Sequence, residues 1–315
     1  MNRAWQQVMP VALQPVTKKP AALPRQYSRL VFAAGDVFSR YIIFQRAIMQ
    51  QPDYTAYKVN STINIDGNLN KYPWKHAKWS KRFCDMVTGT PGMYNTQACV
   101  LWSEEHLYIA FYAEEPFVEA YQKERDSIVF LESDLEVFID GGDCYYELEV
   151  NAANTVYEVF FIWKDAYTKG SRFDIPQFDV HHPQAYTFGG DYDRVGATFW
   201  KGTHPRGIRW AFTHFDMPGL QTAVQVDGTL NDNSDIDQGW SLEIAIPWSS
   251  LGLLAGGSTI PPRNGDVWSI FLGRFQKLVS GGKEVSPHPA MALSSHGIYD
   301  THLPDKWSRI EFVGE

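Results

Sequence analysis

The segment from Gly239 to Trp248, GWSLEIAIPW, restricts the possible folds of this chain more than any other feature of the sequence. Large apolar side chains occupy every second position from Trp240 to Trp248, and smaller or polar side chains occupy the positions between them. A period of two residues is typical of a β-strand with one buried face. Pro247 has no N–H group to donate to a ladder, so we expect the strand to end there.

Short runs of β-branched and aromatic residues, separated by Gly, Asn, Asp and Pro, recur along the chain from about residue 54. The same pattern predicts further strands over 98–102, 107–113, 135–140, 145–151, 155–163, 221–226, 267–276 and 308–313. The first two of these are close enough to form a hairpin. Because no helical segments stand between the strands, we predict an all-β fold, an antiparallel two-sheet β-sandwich of the jelly-roll type.

The first 52 residues differ in composition from the rest of the chain and are predicted to lie outside the sandwich. Residues 1–24 are rich in Pro, Ala and Gln, which predicts an extended arm. Apolar residues at helical spacing, with arginines between them, predict an amphipathic helix over 28–50. Such a helix packs on its own domain, on a partner or on a membrane surface, and these alternatives stay open. Residues 53–315 are predicted to form the sandwich, with an irregular insertion at about 164–218 that is suited to docking.

The charge of the chain argues against nucleic-acid binding, because the net charge is -8 and no polybasic patch is present. The distribution is uneven, since residues 1–50 contain seven Lys or Arg and a single acidic residue, Asp36. An acid-poor, Arg-containing start is typical of an organellar transit segment. We therefore predict a mitochondrial protein, with an extracytoplasmic location as the alternative. The three cysteines match no CxxC spacing and are expected to be reduced.

Recognised catalytic motifs are absent: the sequence has no GxSxG, GxGxxG or Walker loop. The acidic stretch 232–237 offers hard oxygen ligands, but Gln238 and Ile244 stand where an EF-hand loop needs Gly and Glu. That stretch is therefore expected to be a solvated turn. Glu147 and Glu149 share a strand face, as a glycosidase pair would, but so do many solvated carboxylates. No catalytic residue and no metal ligand is predicted.

A series of segments along the chain carries a family resemblance: INIDGNLNKYPW (63–74), LYIAFYA (107–113), ERDSIVFLESDLEVFID (124–140), YYELEVNAANTV (145–156), GTLN (228–231), DQGWSLEIAIPW (237–248), NGDVWSIFLGRF (264–275) and HLPDKWSRIEF (302–312). In this order they resemble carbohydrate-binding module family 9 and its family-9-like relatives. The match spans about residues 59–313. The resemblance implies an antiparallel β-sandwich, which in sugar-binding members holds a terminal saccharide between two tryptophans with help from Arg, Glu and Asn.

The resemblance places the ligand-binding positions at Phe130, Glu149, Asn151 and His302. Phe130 stands near the first tryptophan of the clamp, and His302 stands near the second. Glu149 replaces the binding Arg, whereas Asn151, Glu136 and Asp140 match the pattern. Each stacking tryptophan lost shrinks the apolar platform and weakens sugar binding by on the order of 1 kcal/mol.

We therefore predict a non-catalytic sandwich that serves as a structural accessory subunit of a mitochondrial, membrane-associated complex. Its expected partners are other protein subunits, reached through the N-terminal arm and the insertion at 164–218, and a membrane surface, reached through the helix at 28–50. The alternative is a genuine carbohydrate-binding module that recognises a saccharide by aromatic stacking. A carbohydrate-active enzyme is the third hypothesis. No cofactor is predicted, although the resemblance implies structural calcium in some members.

Overall fold

The computed structural model describes residues 51–189 and 204–314, which form strands and short 3-10 helices. The strands are β1 (Tyr54–Lys58), β2 (Cys84–Asp85), β3 (Thr96–Trp102), β4 (His106–Glu114), β5 (Asp134–Asp140), β6 (Cys144–Asn151), β7 (Val156–Trp163), β8 (Ala185–Phe188), β9 (Arg209–Phe212), β10 (Gln221–Asp227), β11 (Gly239–Pro247), β12 (Val267–Phe275), β13 (Val279–Ser280), β14 (Lys283–Glu284), β15 (Ala290–Ala292) and β16 (Ser308–Val313). The 3-10 helices are Trp74–His76, Val129–Leu131, Pro176–Phe178, Trp248–Leu251 and Pro304–Lys306. The predicted arm and amphipathic helix lie outside the described residues.

Most of these strands belong to one continuous sheet, in the order β10-β11-β4-β3-β1-β16-β12-β5-β6-β7-β9-β8, with β15 beside β12 and β2 beside β15. Strands β13 and β14 form a separate hairpin. The described ladders are antiparallel except those of β1, which runs parallel to both β3 and β16. The prediction of a wholly antiparallel fold is therefore wrong at β1. This strand joins the two halves of the sheet instead of pairing with a neighbour through a hairpin.

The main hydrophobic core lies between the two halves of this sheet. Ile109 of β4 and Leu242 of β11 enter it from one half, and Val137 of β5 and Leu148 of β6 enter it from the other. Because side chains from both halves share one core, the sheet folds over itself, which is consistent with a β-sandwich. The predicted jelly-roll order of connections stays a prediction.

The outer faces of both halves are covered as well. Trp74 packs with Ala245 of β11 on one outer face, and Tyr145 packs with Trp307 on the other. Strand β11 is buried on both faces from Gly239 to Ile246. The prediction of one buried face is therefore wrong, because the segment 63–79 covers the second face with apolar side chains.

Each strand predicted from alternation is present within two residues of its expected ends. The insertion at 164–218 is less irregular than predicted, because β8 and β9 extend the sheet beside β7. The open edge of β7 provides their pairing, whereas their own sequences show little periodicity. Residues 190–203 of the insertion lie outside the described part of the chain. None of the helices among residues 51–189 and 204–314 is long and apolar enough to cross a membrane.

Candidate functional site

The predicted ligand residues Glu149 and Asn151 lie on β6, on the face that points away from the main core. In the ladder between β5 and β6, Glu136 is directly opposite Glu149, and Asp134 is directly opposite Asn151. All four residues are buried, with exposed fractions of at most 3%. The structure thus brings the two predicted residues together with two carboxylates of β5.

Asp134, Glu136 and Glu149 form what we call the carboxylate cluster, in which one oxygen from each side chain lies within 4.8 Å of the other two. Each side chain has one carboxylate oxygen that accepts no hydrogen bond from the described residues. Glu147, two residues before Glu149 on β6, has an oxygen in the same condition. In the described part of the chain, no salt bridge joins the cluster to a lysine or arginine.

Burial raises the pKa of each carboxyl group in the cluster. The pKa values of Asp134 and Glu136 are well above their usual range. The pKa of Glu149 is raised well above its usual range by burial and then by the negative charges of Glu136 and Glu147. Burial also raises the pKa of Glu147 to about 8. Perturbed groups concentrate at functional sites, so this face is a candidate for binding protons or cations.

His302 lies on the same outer face and is 6% exposed. Its Nδ1 atom is 3.0 Å from the Tyr145 hydroxyl and 3.6 Å from a Glu147 oxygen. Its ring packs against Phe138 and against Phe188, at centroid distances of 5.5 and 4.3 Å. Burial, and then the charge of a nearby arginine, hold the pKa of His302 well below its usual range. The side chain is therefore an aromatic core residue in this structure and forms no open platform.

Phe130, the fourth predicted residue, lies in the 3-10 helix before β5. Its ring meets that of Tyr157 edge to face, with centroids 5.8 Å apart. Tyr157 is directly opposite Glu149 in the ladder between β6 and β7. Phe130 therefore packs against the residue that is paired with Glu149. Its role as a stacking platform stays a prediction.

Asn151 holds loops together. Its amide nitrogen donates to the Gln122 carbonyl at 2.8 Å and to a Glu132 oxygen at 3.2 Å. Its amide oxygen accepts from the backbone N–H groups of Ala153 and Thr155, at 3.0 and 2.9 Å. This side chain is completely buried and uses its donors and acceptor on the protein itself. The contacts indicate a scaffold role for Asn151.

Replacement of Asn151 by alanine is expected to lower the free energy of unfolding by about 2–3 kcal/mol, because several buried partners lose their hydrogen bonds together. Urea denaturation followed by tryptophan fluorescence measures the change. Asn233→Ala is the matched control, since Asn233 is exposed and its amide donates to Glu119 at 2.8 Å. It is expected to change the stability by less than about 0.5 kcal/mol. Equal stability of Asn151→Ala and wild type would contradict the scaffold role.

An open groove lies beside this face, and the sequence did not indicate it. It is lined by Glu115, Phe117, Glu119, Tyr121, Glu132, Ser133 and Lys277. Phe117 and Tyr121 are large apolar side chains with exposed fractions of 48% and 58%. The segment that carries them shows no period of two or of 3.6 residues. The available signal was two aromatic residues among glutamates in a loop, EEPFVEAY.

The acidic turn before β11 fixes the loop that carries these aromatic residues. Asp237, predicted to lie in a solvated turn, is 4% exposed. Its carboxylate accepts from the backbone N–H groups of Val118 at 2.8 Å and Thr229 at 2.6 Å. Asn231 exchanges two hydrogen bonds with the backbone of Ala120, at 2.8 and 2.9 Å. The turn therefore has a structural role, and both oxygens of Asp237 accept hydrogen bonds from backbone N–H groups.

Comparison with known proteins found no matching family model and no matching curated protein. Among solved structures, a protein from Bacteroides uniformis that is proposed to bind carbohydrate shares 13% identity, with a TM-score of 0.48, over 82% of this chain and 97% of its own. A carbohydrate-binding module of family 9 from Caldicellulosiruptor kristjanssonii, in complex with cellotriose, shares 14% identity, with a TM-score of 0.44, over 83% of this chain and 94% of its own. The same kind of module in complex with glucose has the same identity and TM-score, and 96% of it is covered. These similarities concern the fold alone.

Proposed function

We propose that this chain is a non-catalytic β-sandwich that serves as an accessory subunit and binds a protein partner beside the open groove. The supporting observation is a set of four exposed apolar side chains on neighbouring loops, which we call the apolar rim. Its members and their exposed fractions are Phe117 (48%), Tyr121 (58%), Leu131 (53%) and Ile236 (73%). Exposed apolar groups in one region, edged by polar residues, are typical of interaction surfaces.

Hydrogen bonds join the three loops that carry the rim. The backbone N–H of Tyr121 donates to Glu132, the neighbour of Leu131, at 2.9 Å. The N–H of Asp237, the neighbour of Ile236, donates to the carbonyl of Pro116 at 3.0 Å. A surface that is ordered before association loses less conformational entropy on binding. The rim therefore has the aromatic and aliphatic anchors of an interface on a pre-formed support.

The accessory role is proposed for a mitochondrial assembly. The support is the composition of residues 1–50, which contain seven basic residues and one acidic residue. The N-terminal arm and the insertion at 164–218 are proposed as further docking segments, and the helix at 28–50 as a membrane contact.

A saccharide is the second candidate ligand, and the groove is a better site for it than the predicted ligand-binding positions. Glu149, Asn151 and His302 are at most 6% exposed, so they form no open surface. The groove, in contrast, combines the rings of Phe117 and Tyr121 with carboxylates and the amine of a lysine. Aromatic rings stack on the C–H face of a sugar, and charged groups bind its hydroxyls.

Site-specific photo-cross-linking in the full chain, expressed in its native cells, tests the accessory role. We expect a discrete adduct of higher mass when the photo-reactive residue replaces Leu131 or Ile236. Tyr57 is the matched control position, because it is 45% exposed and pairs with Leu101, at the far end of β3 from the rim. This surface would be excluded as the docking site if neither rim position gave an adduct. It would also be excluded if the photo-reactive residue at Tyr57 gave the same adducts.

Alanine variants separate a protein partner from a saccharide. Leu131→Ala, cross-linked from position 236, and Ile236→Ala, cross-linked from position 131, are each expected to lower the yield of the protein adduct at least tenfold. The reason is that a few buried anchor side chains carry most of the binding energy of a protein interface. A saccharide would instead require the two aromatic rings. On a glycan array, binding that is lost in Phe117→Ala and Tyr121→Ala but kept in Leu131→Ala would establish the saccharide function.

A further inference from the structure

We propose that Asp134, Glu136 and Glu149 bind a calcium ion on the outer face of β5 and β6. The three side chains each present one oxygen, and these oxygens lie within 4.8 Å of one another. Calcium prefers carboxylate oxygens, which all three residues supply. This site is independent of the groove and of the proposed accessory function.

The β-ladder itself fixes the geometry of the three ligands. Glu136 and Glu149 are directly opposite each other on adjacent antiparallel strands. Asp134 lies two residues before Glu136, so its side chain is on the same face of β5. Because both strands are internal to the sheet, the ligand backbones are held by ladders on both sides. The site therefore exists before an ion binds.

The burial of the site suits calcium better than magnesium. Magnesium gives up its water reluctantly and usually keeps several water ligands, whereas calcium accepts a set of carboxylate oxygens supplied by the protein. Asp134, Glu136 and Glu149 are at most 3% exposed, which leaves little access for ligand water. Their three oxygens, all within 4.8 Å of one another, are close enough to bind one ion. Three carboxylates that bind through one or both oxygens supply about three to six of the ligands calcium takes.

The second observation is the condition of the buried oxygens. Asp134, Glu136 and Glu149 are 0%, 2% and 3% exposed, and each has an oxygen without a hydrogen-bond donor among the described residues. Glu147 adds a fourth carboxylate at 4% exposure, and one of its oxygens accepts no hydrogen bond from residues 51–189 and 204–314. The other oxygen of Asp134 accepts from the backbone N–H of Phe275 at 3.2 Å. A buried carboxylate oxygen that lacks both a donor and a positive partner is strongly unfavourable. A divalent cation offers both the missing contacts and the missing positive charge.

The acidic turn before β11 is the obvious competing calcium site, and its contacts argue against it. Asp237 already uses its oxygens on backbone N–H groups of Val118 and Thr229. Asp232 and Asp235 are exposed, and they accept hydrogen bonds from the Ser234 backbone N–H at 3.0 Å and the Thr229 hydroxyl at 3.4 Å. Asp232→Asn is therefore a matched control that removes one carboxylate outside the proposed site.

Calcium titration of the full chain, first treated with chelator and dialysed, tests the proposal by calorimetry and thermal melting. We expect one ion per chain and a melting temperature that rises with calcium concentration, because an ion that binds only the folded state stabilises it. Glu136→Gln and Glu149→Gln are expected to weaken calcium binding at least tenfold. Asp232→Asn is expected to bind calcium as the wild type does.

A comparison of melting temperatures in chelator and in calcium separates ion binding from any difference in the stability of the variants. In chelator, Glu136→Gln is expected to melt no lower than the wild type, because the uncharged amide takes no part in the repulsion among the neighbouring buried carboxyl groups. In calcium, the wild type should gain stability and the variant should not. The proposal is overturned if millimolar calcium gives the wild type neither binding heat nor a rise in melting temperature. It is also overturned if Asp232→Asn, and not Glu136→Gln, abolishes the response.

Discussion

Replacement of Glu243 by alanine is expected to lower the free energy of unfolding by about 3–5 kcal/mol, because a buried network loses its common acceptor. Glu243 lies in the middle of β11 and is completely buried. One oxygen accepts from the backbone N–H groups of Asp66 and Gly67, at 2.9 and 2.6 Å, and from Lys71 Nζ at 2.9 Å. The other oxygen accepts from the indole N–H of Trp74 at 2.5 Å.

The alanine variant leaves these donors without an acceptor, and the segment that covers the outer face of β11 loses its main polar attachment. Trp74 of that segment has no exposed surface, so its N–H cannot turn to water without a local rearrangement. Gly67 has a φ of +81°, and an added Cβ would be 2.6 Å from the backbone of Val224, so this turn cannot adjust freely. Because of both constraints, we expect the loss of unfolding free energy in Glu243→Ala to lie in the upper part of the stated range.

Urea denaturation, followed by tryptophan fluorescence, measures this loss for Glu243→Ala and for the isosteric Glu243→Gln. The glutamine variant is expected to lose less, about 1–3 kcal/mol, because its amide keeps one acceptor oxygen but has no charge for Lys71. Glu105→Ala is the control, since the Glu105 side chain is 73% exposed. A loss below about 1 kcal/mol in Glu243→Ala would show that the network contributes little net stability.

Replacement of Arg274 by methionine is expected to lower the free energy of unfolding by about 3–5 kcal/mol, because a buried carboxylate loses its positive partner. Arg274 of β12 has no exposed surface and lies 3.2 Å from Glu115, which is 3% exposed. Its guanidinium also donates to the Thr96 hydroxyl and to the Glu114 carbonyl, both at 2.9 Å. The pKa of Arg274 is lowered by burial, and the negative charge of Glu115 opposes that effect.

A double-mutant cycle with Glu115→Gln isolates the ion pair from the other contacts. Glu115 also accepts from Ser133 at 2.6 Å and from the Trp240 indole at 2.8 Å, and a glutamine oxygen can keep part of this bonding. We expect the double variant to lose about 1–3 kcal/mol less than the sum of the single variants. Strict additivity, measured by the same denaturation, would mean that Arg274 stabilises the fold through Thr96 and Glu114 and not through the ion pair.

The strand pattern could be predicted because alternation records burial against the core. Positions such as Leu242 and Ile244 lie between the two halves of the sheet, and period two describes them correctly. The parallel pairing of β1 could not be predicted in this way, since its partners Leu101 and Ile310 are remote in sequence. Pairing between distant strands depends on which edges the rest of the sheet leaves open, and no local pattern records that.

The candidate sites were predictable only in part. Glu136, Glu149 and Asn151 were named from the family resemblance, and the structure adds Asp134 by placing β5 in register with β6. Two carboxylates on one strand are ordinary, but register brings carboxylates of two strands onto one buried face. The apolar rim was missed for a different reason. Its members lie on three separate loops, and the residue type alone does not show whether an apolar side chain is buried or exposed.

By itself, the sequence determined the all-β class, the position of most strands and the inward face of β11, because each follows from spacing along one segment. The tertiary structure decided the environment of the outward face of β11. There, residues 63–79 bury Glu243 and make it an acceptor for four groups, although its position in the alternation predicts a solvated carboxylate. The same applies to the carboxylate cluster. An acidic residue is stable in water or beside donors or cations, and which of these surrounds it depends on segments that only the folded chain brings near.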